Sequence, residues 1–466
     1  MSAYSFRDSG ASLKSPSPGL PGQVADVDQD LQPTGNAEAA RALAGGCDYE
    51  VEEGDTLWDI AQEQTGDAWR WGDLYEDNQD LVGDDPNVIV PGLLLDLCGS
   101  AVETGEEDDL VDEAPELLTR PGFVDVATEL FPALAGEDGF LSSDDLDAAM
   151  TRPDLTLEQS AALVTLRRLR SDLEELHDDE WFDENDGVTM ADLEQYRQTG
   201  KLPGADGTPE EWYSFERSRM QQFSQEVFTT QRPPDVNAML QGSIGDCYFL
   251  SALGSAVRQD PAAVMKMVTP EPDGTYTVTF PNGQSANVAA PTLAEMATYG
   301  NSGMSGMWVT LFERAAGTLR DEDATIPEEA LRFGSIAGRA GTDLFSGDGT
   351  SNVDILSLTA NHTTRDRLES AFTEGRAVVA GIMNDPLSSS PEGLPDAHSY
   401  TVLSYDRATD MVTLRNPHGY GEPEGAKGQV LDGVGDGVFT ITVDELKRLF
   451  TNVTYANAPF AKGAEP

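Results

Sequence analysis

Cys247 opens the apolar run Cys247-Tyr248-Phe249-Leu250, directly after Gln241-Gly242-Ser243-Ile244-Gly245-Asp246. His398 follows 151 residues later, and Asn416 a further 18 beyond it. A thiol, an imidazole and two carboxamides in this order are the parts of a covalent acyl-transfer site. The thiolate attacks a carbonyl carbon, the imidazole moves the proton, and an asparagine orients the ring. Gln241 is placed to donate a side-chain N–H to the oxyanion, beside the Cys247 backbone N–H. At a helix N-terminus, Cys247 feels the positive end of the backbone dipole, which lowers a thiol pKa; a neighbouring imidazole lowers it further. His418 competes with His398 for the imidazole role, but the strand context of His398 and its spacing to Asn416 favour His398. His177 and His362 lie in polar helical contexts and read as solvated. A cysteine before Tyr-Phe-Leu alone reads as core packing. The flanking glycines and Gln241 turn that reading toward chemistry.

The elements that must position these groups follow from local pattern. Cys247 to Val257 is helical. Residues 274–280 and 286–288 alternate around Pro281-Asn282-Gly283, the mark of a hairpin. Trp308 to Ala316 and Thr364 to Gly375 are helical, Ala377 to Ile382 is a buried strand, and 399–405 and 411–415 form two further strands. The expected result is a helical lobe carrying the cysteine and a strand-rich lobe carrying the histidine and asparagine.

These motifs resemble the calpain family of cysteine proteases. The carriers are Gln-Gly-x-x-Gly-Asp-Cys followed by an aromatic residue, His398-Ser399-Tyr400-Thr401-Val402, and Arg415-Asn416-Pro417-x-Gly419. Trp308-Val309-Thr310-Leu311-Phe312-Glu313-Arg314-Ala315 is similar to a helix of that family, and Leu356-Ser357-Leu358-Thr359 sits where the family has Leu-Thr-Gly. The resemblance implies a papain-like, two-lobed domain over residues 236–455, with Cys247, His398 and Asn416 as a triad and Gln241 at the oxyanion. The chain departs from the family at Tyr248, where many members carry Trp. It departs again at His418, which replaces the Trp that shields the His–Asn pair. The family's calcium sites rest on acidic loops that do not align with this sequence, so Ca2+ as a cofactor stays open.

Residues 47–98 form a self-contained unit. Tyr49-Glu50-Val51 alternates as a strand; Gly54 turns the chain; Asp55 or Thr56 caps a helix presenting Leu57, Ile60 and Ala61. A second helical segment covers Trp69 to Asn78, and Pro91-Gly92 leads into the strand Leu93 to Leu97. This βααβ order, with Gly-Asp-Thr-Leu-Trp-Asp-Ile-Ala and Pro-Gly-Leu-Leu-Leu, resembles the lysin motif, LysM. That resemblance implies antiparallel strands and binding of N-acetylglucosamine polymers such as peptidoglycan or chitin, with Gly54, Asp55, Thr56, Asn87 and Ile89 at the groove. The alternative role is a docking piece in a larger assembly, such as a delivery apparatus. Antiparallel strands bring Cys47 and Cys98 near each other, while strand parity sets them on different sides; a disulfide and two free thiols both stay open.

Residues 99–120 are an acidic linker, with eight acids and no base between 99 and 119. Residues 121–200 are helical and acidic. Glycine-containing acidic loops around Gly139 and Gly187 each feed a helix and resemble a degraded pair of EF-hands. A calcium loop sets oxygen ligands at fixed positions around a glycine. Gly139 in that place puts Leu134 at the first ligand position; in the second loop, a contraction by one residue brings Asp183, Asn185 and Glu194 into register. Asp183, Asn185 and Glu194 are thus the candidate calcium ligands, with a metal-free helical pair as the alternative. Residues 201–235 read as a linker helix broken at Pro233-Pro234, and 456–466 as a tail.

Composition bounds partners and compartment. With 466 residues the chain exceeds one ordinary core, so the fold expected is multidomain α+β. The net charge of −54, from 83 acids against 29 bases, repels nucleic acid and anionic membrane surfaces. Only 6 of the bases are Lys. Such a surface reads either as adaptation to high salt or as many carboxylates available to calcium. No apolar run is long enough for a membrane helix. Residues 1–46 lack signal-peptide order and read as disordered, which points to export or injection by another route, and otherwise to the cytoplasm. The function expected is an endopeptidase acting on protein or peptide substrates, targeted by the LysM module, in the manner of a secreted effector or toxin. The same triad also suits a cell-wall peptide amidase, and a catalytically dead glycan-binding scaffold is the non-enzymatic rival.

Overall fold

The computed structural model describes residues 122–136, 139–176, 187–202, 207–229, 233–320, 339–383, 397–419 and 437–460, together with 394–395, 421, 423 and parts of 48–97. The expectations for 1–46 and 99–120, Cys47 and Cys98, His177, the groove residues Gly54, Asp55, Thr56, Asn87 and Ile89, and the loop residues Asp183 and Asn185 lie outside these. No helix among the described residues is long and apolar enough to cross a membrane.

In the N-terminal unit, β1 (Asp48–Glu50) pairs antiparallel with β2 (Leu94–Asp96), Tyr49 opposite Leu95. A short helix, α1 (Gln79–Val82), precedes β2. Val51, Leu57, Ile60, Leu74, Tyr75 and Leu95 form its core. Buried Asn78 ties helix to strand. Its Nδ2 donates to the carbonyls of Leu74 and Asp96, each at 2.8 Å, and its Oδ1 accepts from the Asp96 N–H at 2.7 Å.

The helical region comprises α2 (Phe123–Leu134), β3 (Phe140–Leu141), α3 (Ser143–Met150), α4 (Leu157–Leu173), β4 (Val188–Thr189), α5 (Met190–Thr199) and α6 (Pro209–Gln221). Four of these helices start at capping boxes legible in the sequence: Ser142 with Asp145, Thr156 with Gln159, Thr189 with Asp192, and Thr208 with Glu211. The two acidic loops meet through β3 and β4, with Leu141 opposite Val188. The residue after each of these caps the next helix on a carboxylate, Asp145 in one loop and Asp192 in the other. Asp192, not Glu194, therefore holds the place equivalent to Asp145. Glu194 is exposed on the outer face of α5 and bonds Gln198 and Arg197. With Asp183 and Asn185 outside the described residues, their register with Glu194 stays a candidate; the strand pairing sets Asp192, two residues before Glu194, level with Asp145.

Instead of the linker helix expected over 201–235, α6 is a core element. Trp212 and Tyr213 are buried, and the Arg168 guanidinium lies 4.0 Å over the Trp212 ring. Fully buried Glu216 is paired with Arg168 and Arg219. The same core takes in Ala294, Met296, Ala297 and Met307, which belong to the segment carrying α9 (Leu293–Thr298). Thr292 Oγ1 donates to the Met150 carbonyl at 2.6 Å, and Arg219 donates to the Ala297 carbonyl. The helical region and the segment behind the cysteine thus share one apolar interior.

The remaining elements are α7 (Cys247–Gln259), α8 (Pro261–Lys266), β5 (Val268–Pro270), β6 (Tyr276–Thr279), β7 (Ser285–Val288), α10 (Trp308–Arg320) and α11 (Arg339–Leu344). They are followed by β8 (Ser351–Ile355), α12 (Asn361–Glu374), β9 (Val378–Ile382), β10 (His398–Asp406), β11 (Met411–Arg415), β12 (Val438–Thr442), α13 (Val443–Leu449) and β13 (Asn452–Ala456). The expected hairpin is β6–β7. Strands β12-β11-β10-β9-β13-β8 form one antiparallel sheet in that order. One apolar cluster surrounds α7 and α10, and a second lines the sheet. Phe460, placed in a tail by the sequence, is buried in the first cluster beside Phe345; its ring is too apolar to leave in water.

Because the helical region shares its interior with α9, Trp212→Ala is expected to cost about 3–5 kcal/mol. Amide hydrogen exchange read by mass spectrometry on peptides from α4 and from α9 should accelerate together in that variant. Acceleration confined to α4 would contradict a common core.

Candidate active site

The loop before the cysteine is built on residues 298–301. Leu240 and Asn301 exchange N–H···O bonds at 2.9 Å, and the Ser243 N–H donates to the Thr298 carbonyl at 2.7 Å. Gly242 permits this approach, because a Cβ there would stand 2.1 Å from the Thr298 oxygen. The Gln241 N–H donates to the Pro417 carbonyl at 2.8 Å, which joins this loop to the one after Asn416. The Gln241 side chain turns inward: Nε2 donates to the Ile244 carbonyl at 2.7 Å, and Oε1 is buried without a hydrogen-bond partner. The oxyanion donor expected at Gln241 is thus engaged by its own loop.

Cys247 is the first residue of α7 and is buried. The thiol lies 3.9 Å from the carbonyl oxygen of Ala397, and Ser399 also reaches the sulfur. Ala397 has φ +51°, a sparsely populated conformation for a residue with a Cβ. Its strained peptide aims the carbonyl at the sulfur immediately before His398. Burial, with a smaller contribution from neighbouring Asp246, pushes the thiol pKa up to about 12. This corrects the expectation of a lowered pKa. The helix terminus contributes a partial charge, whereas removing a thiolate from water penalises a full one.

His398 opens β10. Its Nε2 stands 2.8 Å from Asn416 Oδ1. The same oxygen accepts the His418 N–H at 3.0 Å, while Asn416 Nδ2 donates to the Gly421 carbonyl at 3.3 Å. Two independent partners therefore fix which end of the amide is oxygen. Nε2 of His398 must carry the hydrogen, which leaves the Nδ1 lone pair as the base. The His418 ring stacks on His398 with centroids 4.3 Å apart, and Tyr400 meets His398 edge-on at 5.1 Å. Burial, then the His418 charge, lowers the His398 pKa to about 3, while burial alone lowers His418 to about 4. Burial thus favours the neutral form of both the thiol and the imidazole. Buried Arg415 anchors the far side by donating to the carbonyls of Asn237 and Met239 at 3.1 and 2.6 Å.

Cys247, His398, Asn416 and Gln241 converge at one place. His362 is exposed on α12, away from the chemistry. Among the described residues no three His, Cys, Asp or Glu side chains gather as a metal site. Asp246, Glu313, Ala397 and Arg415 went unassigned in the sequence. Asp246, Glu313 and Arg415 stand inside the quoted motifs, which was the available signal, while Ala397 carried none.

Comparison with known families finds two matches along the chain. Residues 205–432 match the calpain family cysteine protease, and residues 49–96 match the LysM domain. The chain carries a calpain-family cysteine protease domain with a LysM domain N-terminal to it. The match begins at 205, so α6 falls inside it. No curated protein matches the chain.

Two imidazoles held neutral in the fold must take up protons when the chain unfolds in acid. Their pKa values lie below the unfolded value of about 6.5, so their stabilisation is present above that pH and is lost as pH falls toward 4 and 3. Each proton contributes a slope of about 1.4 kcal/mol per pH unit. His418→Phe, which keeps a stacked ring, is expected to remove about one proton from that slope. Urea titrations between pH 4 and 6.5 measure it, and an unchanged slope would contradict the burial of His418.

Proposed function

We propose that this protein is a cysteine endopeptidase that hydrolyses peptide bonds through Cys247, His398 and Asn416, with Gln241 donating to the oxyanion. The observation that carries the reading is the Asn416–His398 bond, which fixes the tautomer and turns Nδ1 into the base beside α7. The thiol is first released from the Ala397 carbonyl and passes its proton to Nδ1. The sulfur then attacks the scissile carbonyl. The oxyanion is met by the Cys247 N–H and by Gln241 Nε2, once the latter leaves the Ile244 carbonyl. His398 gives its proton to the departing amine, and water, activated by the same nitrogen, hydrolyses the thioester.

The neutral, buried pair supports a site that rests closed and is loaded by substrate or by a signal. Calcium through the 183–192 loop is one such signal, and Asp192 is the described residue nearest that role. The LysM module supports targeting to an N-acetylglucosamine polymer or a delivery apparatus, and delivery as an exported effector fits that targeting.

Casein proteolysis by the full chain with a calcium titration, beside Cys247→Ala, tests the reading. The wild type is expected to cleave and the variant to lose about 10³-fold or more. A peptidyl epoxide is expected to label Cys247. Release of stem peptides from purified peptidoglycan with casein left intact would instead indicate an amidase, and no labelling of a folded chain would indicate a dead scaffold.

A further inference from the structure

Two carboxyl groups are sealed directly behind the nucleophile. Asp246 precedes Cys247 and Glu313 lies on α10; both are fully buried. Glu313 Oε1 accepts the Gly300 N–H at 3.0 Å, and Thr310 Oγ1 of the same helix donates to the Gly300 carbonyl at 2.6 Å. Helix α10 thus grips Gly300 by both of its polar backbone groups. Gly300 lies within residues 298–301, on which the Gln241–Cys247 loop is built. Glu313 Oε2 and both oxygens of Asp246 are buried and meet no hydroxyl or cation among the described residues; the only amide near Asp246 there is its own N–H. Each of the two carboxyls acts on the other through the buried interior. Two carboxylates repel, so a hydrogen bond between these side chains requires a proton.

The surrounding charges are directed elsewhere. Arg314, next on α10, turns to Glu295 of α9 at 2.9 Å, and Arg320 reaches the Tyr248 hydroxyl at 3.3 Å. On α7, the Cys247 thiol and the Tyr248 phenol both feel Asp246. No histidine or cation among the described residues acts on either carboxyl.

We propose that Glu313 is a positioning residue for the nucleophile: through a proton held between it and Asp246, it clamps the Gln241–Cys247 loop onto Gly300 and sets the charge behind the Cys247 sulfur. This rests on Cys247 being the nucleophile. Burial raises both groups. Glu313 lies well above the carboxylate range and keeps its proton, while Asp246 is pushed to about 7. As pH rises through the raised range of the pair, one of its two protons leaves for solvent and the other bridges the two side chains. The negative charge that results opposes the thiolate. Stability follows the same sign: the contribution is full below the ordinary carboxylate pKa and is lost as pH rises through about 7.

The test is the rate of Cys247 alkylation by iodoacetamide between pH 5 and 9 in the full chain, read on the Cys247 peptide by mass spectrometry. It compares the wild type with Asp246→Asn/Glu313→Gln, which keeps a bond of the same shape without a titratable proton. In the wild type the rate is expected to climb less steeply than a lone thiol's around pH 7. The double variant is expected to lose that flattening and to alkylate about tenfold faster at pH 8, as one unit of thiol pKa requires. Identical profiles would overturn the proposal. If the double variant does not fold, Asp246→Asn alone removes the nearest charge and gives the same readout. The alkylation profile holds whether or not casein is cleaved, so failure of the protease reading and failure of the carboxyl pair are distinguishable.

Discussion

The close approach of α7 to β9 and β10 is the constraint on which the rest of the site depends. Helix and sheet meet through Ser251, Gly254 and Ser255, residues small enough to let the backbones come together. A Cβ on Gly254 would stand 2.7 Å from Thr401 Oγ1. Thr401 Oγ1 instead donates to the Ser251 carbonyl at 3.1 Å, and the Val378 N–H donates to Ser255 Oγ at 2.9 Å. These contacts bring the first residue of the helix beside the first residue of the strand. Cys247 and His398 are 151 residues apart in sequence and share one site because of that packing.

The same closeness determines the electrostatics. Dense packing excludes water from Cys247, His398, Asp246 and Glu313 alike, and each shifts toward its neutral form. The hydrogen bonds that survive are those a neutral site satisfies: thiol to carbonyl and imidazole N–H to amide oxygen. A site of this kind is preorganised in geometry but not in charge. Converting it to an ion pair requires solvation by substrate groups or a small rearrangement, and the strained Ala397 peptide holds the sulfur in the resting arrangement.

Around this centre, the helical region is structural support rather than an appendage. Its interior runs into α9, and α9 leads directly into residues 298–301, which hold the Gln241–Cys247 loop. A change in the paired loops at Leu141 and Val188 is therefore connected by continuous packing to the segment beneath the nucleophile. The LysM unit has its own small core and its own strand-to-helix tie at Asn78.

Much of this was legible locally. Gln241, Cys247, His398 and Asn416 declare their chemistry by type and spacing. The β6–β7 hairpin and the helical period over 308–316 declare their elements, because each depends on residues within a turn or two of one another. Three things were not legible: that α6 belongs to a core, that Asp192 rather than Glu194 matches Asp145, and that burial raises the Cys247 pKa despite its helix terminus. Each depends on what lies across the fold, on apolar partners brought from 294–307, on the pairing of Leu141 with Val188, and on the loss of water around the sulfur. The sequence by itself determined which groups are present and how each segment curls. Only the tertiary structure decided their protonation and their partners, because desolvation and long-range packing are properties of the assembled interior.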